Sequence, residues 1–391
     1  MNIDKKNLTI TPSVPVWLDG EDYVFDRKFY DGMLLYVKEW TGNVNCVMSL
    51  TEDSLPPFGC VRQKQEDLPF GLSLLKDNAR ISDKHIKGAD VVLASGDSFE
   101  QFHVSGLCRR HGVKCVYIIE YIPETRYQIV NLGRASRVVK LYRCLYIWRG
   151  ERRRRKAFQL ADGIQANGTA SNFYYCREDK SCLLYFDSRV YSEQIINHAT
   201  LNKRLSTLSH RRPLRLAFSG RLIRMKGAES LIRLAELLQT NGVEFTMSIY
   251  GSGDLEAEMR FDTERKQLGD HVKMKGAVDF YNELLPDIKE NVDLYIVLHK
   301  QSDPSCTYLE TLSCGIPIVG YKNKAFSGLL DMDDIGWGKE VGDIEGIAEI
   351  IKCLDHNREE IAEKSVRSME FSRSHDFRTT FKRRIDHLKQ L

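Results

Sequence analysis

Short apolar segments alternate with amphipathic segments along almost the whole chain. Residues 89–94 and 114–119 are apolar without alternation, which is typical of parallel strands buried on both faces. Residues 29–40 instead place Met33, Val37 and Trp40 on one face at helical spacing. Strand, helix and strand in repeated order predict an α/β protein with doubly wound sheets and right-handed crossovers.

This alternation of predicted strands and helices occurs twice along the chain. A polar stretch at 197–212 separates the first run from a second, which begins with a predicted strand at 214–219. A chain of 391 residues is also too long for one comfortable core. We therefore expect two Rossmann-like domains, 1–205 and 206–372, joined by the polar stretch. The loops at the carboxyl ends of their strands should face a central cleft, the usual place for a ligand.

Charge and cysteine content exclude several classes of protein. The chain has 57 basic and 54 acidic residues, so a strongly basic nucleic-acid binder is not expected. Ten cysteines are scattered without CxxC spacing, and the first residues lack the apolar core of an export signal. These features predict a cytoplasmic protein with reduced thiols, without disulfides or zinc. No stretch reaches the roughly 18 apolar residues of a spanning helix.

The first motif with chemical content is SGRLIRMKGAESL, which starts at Ser219 and joins a predicted strand to a predicted helix. Gly220 and Gly227 permit close backbone approach, and the helix start supplies amide donors and partial positive charge. Arg221 and Lys226 add a guanidinium and an ammonium, a suitable pair for a diphosphate. Taken alone, a basic turn of this kind is more often a solvated loop.

Two further motifs follow strands of the second half. Gly251 and Gly253 form a GxG turn, which by itself is weak evidence of a site. SDPSCTYLETLSCGIPIVGY starts at Ser302 and predicts a loop, a helix that contains Glu310, and a buried strand. Amides at 305–309 would face an anion, and Glu310 could accept hydrogen bonds from the vicinal hydroxyls of a ribose. Alternatively, Glu310 only favours the helix dipole.

In order and spacing, these motifs resemble the donor half of retaining GT-B glycosyltransferases, most closely the large fourth family that is common in bacterial polysaccharide synthesis. The first half resembles the family mainly in layout. The resemblance implies that Arg221 and Lys226 hold the donor diphosphate and stabilise the leaving group, and that Glu310 binds the ribose. It also implies a last helix, within 373–391, that packs back on the first domain. The expected donor-binding residues are Gly220, Arg221, Lys226, Gly251, Gly253, Lys275, Gly276, Ala277, Ser302, Asp303, Ser305, Cys306, Thr307, Tyr308, Leu309 and Glu310.

The chain departs from the family pattern where the transferred sugar is contacted. The family has glutamate eight positions before Glu310, whereas this chain has Ser302 followed by Asp303. Asp303 could take over the hydroxyl contact by a one-residue shift, or the donor sugar could differ from common hexoses. His299 and Lys300 also replace the family's proline and serine.

On the acceptor side, the resemblance points to two pairs of residues. Asp31 and Gly32 are predicted to open a helix after a polar loop, 19–28, and this arrangement resembles the glycine-bearing first loop of the family, close to the acceptor. Glu120 and Tyr121 stand where the family often has a histidine. Glu120 could bind an acceptor hydroxyl or act as a catalytic base, or it could be a structural carboxylate paired with Arg126.

Residues 134–156 form a basic helical candidate that Glu151 alone opposes. Three interpretations remain open: a solvated helix packed by the apolar face around Leu141 and Leu145, a surface for an anionic membrane or lipid diphosphate, or a nucleic-acid patch. The last is the least favoured, and we expect no nucleic-acid partner. The ten basic residues are Arg134, Arg137, Lys140, Arg143, Arg149, Arg152, Arg153, Arg154, Arg155 and Lys156.

The expected reaction moves a sugar, with retention, from a UDP or GDP sugar to the hydroxyl of a lipid-linked or growing bacterial glycan. Neither a cofactor nor a metal is expected, because Arg221 and Lys226 would neutralise the departing diphosphate. Two alternatives remain: a sugar-nucleotide epimerase of the same fold, and a non-catalytic protein that binds sugar nucleotides or glycans.

Overall fold

The structure is a computed structural model that describes residues 5–55, 59–76, 79–176, 180–208 and 212–391. Its strands are β1 (Leu8–Thr11), β2 (Trp17–Asp19), β3 (Asp22–Asp26), β4 (Val44–Ser49), β5 (Cys60–Lys64), β6 (Gly71–Leu75), β7 (Val91–Ser95), β8 (Lys114–Ile119), β9 (Gly163–Asn167), β10 (Ser181–Tyr185), β11 (Leu214–Ser219), β12 (Phe245–Tyr250), β13 (Val272–Gly276), β14 (Leu294–Val297), β15 (Ile318–Tyr321) and β16 (Gly336–Lys339).

Its α-helices are α1 (Arg27–Glu39), α2 (Asp83–Ile86), α3 (Val104–His111), α4 (Pro123–Leu132), α5 (Arg137–Leu160), α6 (Thr169–Tyr175), α7 (His198–Ser206), α8 (Ala228–Thr240), α9 (Glu256–Arg265), α10 (Leu285–Asn291), α11 (Cys306–Ser313), α12 (Lys324–Met332), α13 (Ile344–His356), α14 (Arg358–Arg373) and α15 (Phe377–Lys389).

The chain divides into two compact units, and it crosses between them more often than expected. Unit 1 comprises 1–123, 141–185 and 378–391, and unit 2 comprises 124–140 and 186–377. These crossing points differ from the expected boundaries at 205 and 372. In unit 2, Leu201 of α7 is fully buried, and Arg204 donates to the carbonyl of Cys314 at 2.8 Å. Part of the polar stretch 197–212 is thus a packed helix rather than a linker, and its residues 209–211 lie outside the described ones.

Unit 1 is built on a seven-stranded parallel sheet with the order β10-β9-β8-β7-β1-β4-β6. The central strand β7 is buried at every position, as its uninterrupted apolar sequence predicts. Helix α15 packs against β9, where Arg384 donates to the side-chain oxygen of Gln165 at 3.0 Å. The strand order places the carboxyl ends of β7, β8 and β9 side by side, which is where a ligand site of this unit is expected.

The predicted first loop at 19–28 is wrong. Antiparallel strands β2, β3 and β5 form a separate three-stranded sheet there, and α1 begins at Arg27 with Asp26 as its N-cap. Asp31 and Gly32 lie in the first turns of α1, within the predicted helix, and their place beside an acceptor stays a prediction. Gly32 has a packing role, because a Cβ at this position would collide with the ring of Phe381 on α15.

Unit 2 contains a six-stranded parallel sheet with the order β13-β12-β11-β14-β15-β16. From β11 the chain first builds β12 and β13 on one side, and later β14 to β16 on the other. The sheet therefore has a topological switch point between β11 and β14, where parallel α/β sheets usually bind ligands. Buried aliphatic side chains such as Leu216, Ile249 and Ile296 hold the sheet, each contributing about 1.5–3 kcal/mol.

The expectation that the chain has no disulfide is also wrong. Cys176 and Cys182 form a disulfide with their Cα atoms 5.8 Å apart, and the other eight cysteines carry free thiols. The two cysteines flank the segment between α6 and β10, so their sequence spacing alone does not reveal that the fold brings them together.

Candidate functional site

The turn after β11 carries the two predicted clamp cations in different environments. Lys226 is 8% exposed, whereas Arg221 is exposed and makes no ion pair with any residue that the structure describes. Gly227, which precedes α8, has a φ of +68°, and a Cβ there would collide with the carbonyl oxygen of Leu298. Only glycine fits this position, so the turn lies directly against the chain that leaves β14.

Lys226 forms a buried ion pair with Asp303. Lys226 Nζ lies 2.9 Å from Asp303 Oδ2, and the two side chains are 10% and 12% exposed. The other carboxylate oxygen, Oδ1, has no hydrogen-bond partner among the described residues. The turn after β11 and the loop after β14 are thus joined at the switch point, where the sequence predicts the donor site.

Ser302, which stands where the family has glutamate, is buried, and its polar atoms bond to residues of α4 and α12. Its amide donates to Gln128 Oε1 at 3.0 Å, and its hydroxyl accepts from the amide of Lys324 at 3.1 Å. Its carbonyl accepts from the hydroxyl of Thr125 at 3.1 Å. These bonds fix the loop, and a direct contact of Ser302 with a sugar stays a prediction.

Helix α11 holds Glu310 near its start, but part of the predicted anion-binding backbone is already engaged. The amide of Ser305 donates to the carbonyl of Asp303 at 2.9 Å, and that of Tyr308 to the carbonyl of Ser305 at 3.2 Å. The Tyr308 side chain is buried and stacks on Phe326 with ring centroids 5.6 Å apart. Ser305, Cys306 and Thr307 are half-buried, and Leu309 is buried.

Glu310 is paired with a residue that the sequence reasoning missed. Arg189 Nε donates to Glu310 Oε1 at 2.7 Å, across 121 positions of sequence. The guanidinium carbon of Arg189 also lies 3.7 Å from the ring centroid of Phe280. No local motif signals such a partner, because Arg189 follows the last strand of unit 1 and precedes the predicted second domain.

The GxG turn after β12 lies against the turn after β11. Gly251 has a φ of +117°, and a Cβ there would collide with the carbonyl oxygen of Gly220. A Cβ on Gly253 would lie 2.6 Å from the carbonyl oxygen of Leu222. The amide of Gly251 donates to the carbonyl of Gly276 at 2.7 Å, which brings in the end of β13 with Lys275 and Ala277. Three of the predicted motifs therefore meet at one edge of one sheet.

His299 and Lys300 replace the family's proline and serine without adding free positive charge. Burial, reinforced by the nearby Lys226, holds the pKa of His299 well below its usual range, so the ring is uncharged at neutral pH. Lys300 Nζ lies 2.6 Å from a carboxylate oxygen of Glu229. Of the two predicted clamp cations, Arg221 is the one without a carboxylate partner among the described residues, since Lys226 is paired with Asp303.

In unit 1, the predicted acceptor residue Glu120 lies in a polar cluster at the carboxyl ends of β7, β8 and β9. Its carboxylate accepts from Asn167 Nδ2 at 3.1 Å. The amides of Glu120 and Tyr121 donate to Asp97 at 2.8 and 3.2 Å. Asp97 was not predicted from the sequence. The pairing of Glu120 with Arg126 stays a prediction.

The basic helix has two parts that differ in burial. Arg154 is fully buried in α5, where it pairs with Glu151 and donates to the carbonyl of Gly96 at 2.8 Å. The preceding turns are not packed as the first interpretation expected. Exposed apolar side chains there are Val138 at 78%, Leu141 at 64%, Tyr142 at 70%, Leu145 at 55% and Trp148 at 47%.

A membrane-spanning helix and a metal-binding cluster are both absent from the described part of the chain. No helix there has the length and apolar character needed to cross a membrane. No group of three or more His, Cys, Asp or Glu side chains there is placed to hold a metal ion. Metal independence nevertheless stays a prediction.

The match to a known protein family covers the second half of the chain. Residues 202–368 match the family described as "Glycosyl transferases group 1". The amylovoran biosynthesis glycosyltransferase AmsK of Erwinia amylovora is 25% identical over 161 residues, which cover 38% of each chain. This chain thus matches well under half the length of that curated relative.

Solved structures match over nearly the whole chain. HepE of Anabaena in complex with UDP has a TM-score of 0.66 at 15% identity and is matched over 99% of this chain and 100% of its own. The lipopolysaccharide outer core galactosyltransferase WaaB has a TM-score of 0.66 at 12% identity, over 98% of this chain and 99% of its own. At such low identity these likenesses establish the fold. The chain thus has the GT-B fold, and its residues 202–368 are similar to glycosyl transferases group 1.

Proposed function

We propose that unit 2 binds a nucleoside diphosphate sugar and that the enzyme transfers the sugar, with retention, to an acceptor hydroxyl. The observation that carries this proposal is Arg221, exposed and without an ion-pair partner among the described residues, in the same turn as Lys226 at the switch point of the sheet. A departing diphosphate gains negative charge, and two fixed cations stabilise that charge more in the transition state than in the ground state.

The other donor contacts follow from the same edge of the sheet. Glu310 accepts hydrogen bonds from the ribose hydroxyls, and the backbone at 275–277 faces the base. The carboxylate of Asp303, held by Lys226 with one oxygen unbonded among the described residues, is the candidate contact to the transferred sugar. UDP is the favoured nucleotide and GDP the alternative, because HepE has been solved in complex with UDP and with UDP-glucose.

Unit 1 would bind the acceptor. Glu120, fixed by Asn167 and by the bonds of its loop to Asp97, is the candidate group for an acceptor hydroxyl. The name of AmsK refers to amylovoran biosynthesis, and WaaB acts on the outer core of lipopolysaccharide. We therefore favour a lipid-linked or growing bacterial surface glycan as the acceptor.

The test is a donor panel with nuclear magnetic resonance detection, with and without a lipid-linked acceptor. Transfer with the donor's anomeric configuration, unaffected by a metal chelator, is the expected result. An epimerised donor formed without acceptor would favour the epimerase alternative. Donor binding without turnover, for every lipid-linked acceptor supplied, would favour the non-catalytic one.

We also propose that the first turns of α5 rest on an anionic membrane surface. Apolar side chains and arginines are exposed together there, and the Arg152 guanidinium lies 3.9 Å from the ring centroid of Trp148. Tryptophan and basic residues are the usual side chains of interfacial helices. Attraction to acidic lipids contributes about 1 kcal/mol per basic residue.

The double variant Arg149→Glu and Arg153→Glu should weaken binding to phosphatidylglycerol vesicles by at least about thirtyfold, measured by co-sedimentation, since two favourable charges are lost and two repelling ones are introduced. Lys382→Glu with Arg383→Glu on α15 is the matched control and should bind as the wild type does. Equal binding to neutral phosphatidylcholine vesicles, or equal loss in both double variants, would contradict this assignment.

A further inference from the structure

The buried carboxylate of Glu310 has one charged partner in the described structure, and that partner is Arg189. Glu310 is 11% exposed and Arg189 is 40% exposed, so the pair lies with the arginine on its solvent side. A carboxyl group with this little exposure needs a polar partner, and the bond from Arg189 Nε to Oε1 restricts the position of the Glu310 carboxyl group.

Arg189 is itself held from two other directions. Its guanidinium lies on the ring of Phe280, with the guanidinium carbon 3.7 Å from the centroid. Its carbonyl accepts from the hydroxyl of Tyr281 at 3.1 Å. Phe280 and Tyr281 closely follow the end of β13, the segment proposed to face the base. Arg189 therefore links the segment that follows β13 with the Glu310 carboxylate, which is proposed to bind the ribose.

The bond from Arg189 leaves Glu310 able to bind a ligand. A carboxylate has about four acceptor positions, and Arg189 uses one of them, on Oε1. Oε2 and the second position on Oε1 remain available to two vicinal hydroxyls.

We infer that Arg189 is a positioning residue: it orients the Glu310 carboxylate toward the ribose hydroxyls, and so determines how strongly the enzyme prefers a ribonucleotide. The inference rests on the proposed function, because it takes the ligand of Glu310 to be a ribose. Arg189 does not contact the reacting atoms, and its effect passes through Glu310.

The test compares UDP with 2′,3′-dideoxy-UDP by calorimetry on the full chain. In the wild type, UDP should bind at least about tenfold more tightly, because the dideoxy compound gives Glu310 no hydroxyl to bind. Arg189→Met leaves a flexible apolar side chain next to Phe280 and loses the guanidinium, so UDP affinity should fall about tenfold while dideoxy-UDP affinity stays unchanged. Arg189→Lys should retain part of the preference. Arg260→Met removes an arginine–glutamate pair of the same unit on α9 and is the matched control.

Each other outcome contradicts a specific statement. Equal loss of both ligands in Arg189→Met, or loss of neither, would overturn the positioning role. Equal binding of both ligands by the wild type would overturn the ribose assignment of Glu310, and with it this inference. If the wild type bound neither UDP nor GDP, the proposed function itself would be wrong; if it bound GDP alone, the same comparison is made with GDP and 2′,3′-dideoxy-GDP.

Discussion

Replacing Arg221→Ala should lower turnover by about 10²–10³-fold while leaving the thermal midpoint unchanged. The loss is that of one fixed group that stabilises developing charge in the transition state. The fold should be unaffected, because the side chain is exposed and pairs with no residue that the structure describes. Initial rates at saturating donor measure the first effect, and thermal unfolding measures the second.

Arg224→Ala is the matched control for this prediction. Arg224 is an exposed arginine of the same turn, three positions further along, and it has no assigned contact with the donor. It should retain turnover close to the wild-type rate. Near-normal turnover in Arg221→Ala, or equal losses in both variants, would contradict a specific role for Arg221.

The second large effect is expected for Lys226→Ala, which should abolish most turnover and also destabilise the protein. The change removes the second clamp cation and leaves Asp303 as an uncompensated, nearly buried carboxylate. Breaking a buried pair from one side typically costs about 3–5 kcal/mol in the free energy of unfolding. Chemical denaturation measures this cost independently of activity.

A double variant separates the two consequences of losing Lys226. Lys226→Ala with Asp303→Asn has no unpaired charge, so much of the lost stability should return while turnover stays low. Recovery of turnover in the double variant would contradict the clamp. Wild-type stability of Lys226→Ala alone would contradict the energetic importance of the ion pair.

Much of the fold was predictable because buried parallel strands have a strong local signature. β8 and β11 have the predicted bounds, and β7 begins two residues later and ends one residue later than predicted. Their uninterrupted apolar sequences need no knowledge of the partner strands. The order of glycines, cations and Glu310 in the second half carried the resemblance to GT-B glycosyltransferases, and it was visible in the sequence because each motif is local.

The wrong or missing predictions concern a short strand and contacts between separate parts of the chain. β3 reads DYVFD between charged residues and is stabilised by antiparallel pairing with β5, so the prediction of a loop there was wrong. The Cys176–Cys182 disulfide and the Arg189–Glu310 pair depend on parts of the chain that only the folded structure brings together. The pairing of Asp303 with Lys226 also joins two motifs, and neither motif alone indicates it.

The central claim is that Arg221 and Glu310 belong to one site for a nucleoside diphosphate. The most direct test is the thermal midpoint of the wild type, Arg221→Ala, Glu310→Ala and Arg224→Ala in the presence of UDP, GDP, ADP and dTDP. A ligand at one hundred times its Kd stabilises the native state by about 2.7 kcal/mol, which is readily measured.

We predict that UDP or GDP raises the midpoint of the wild type and of Arg224→Ala, and that this rise is strongly reduced in Arg221→Ala and in Glu310→Ala. The account would be contradicted if no nucleoside diphosphate raised the wild-type midpoint, or if both site variants retained the full rise.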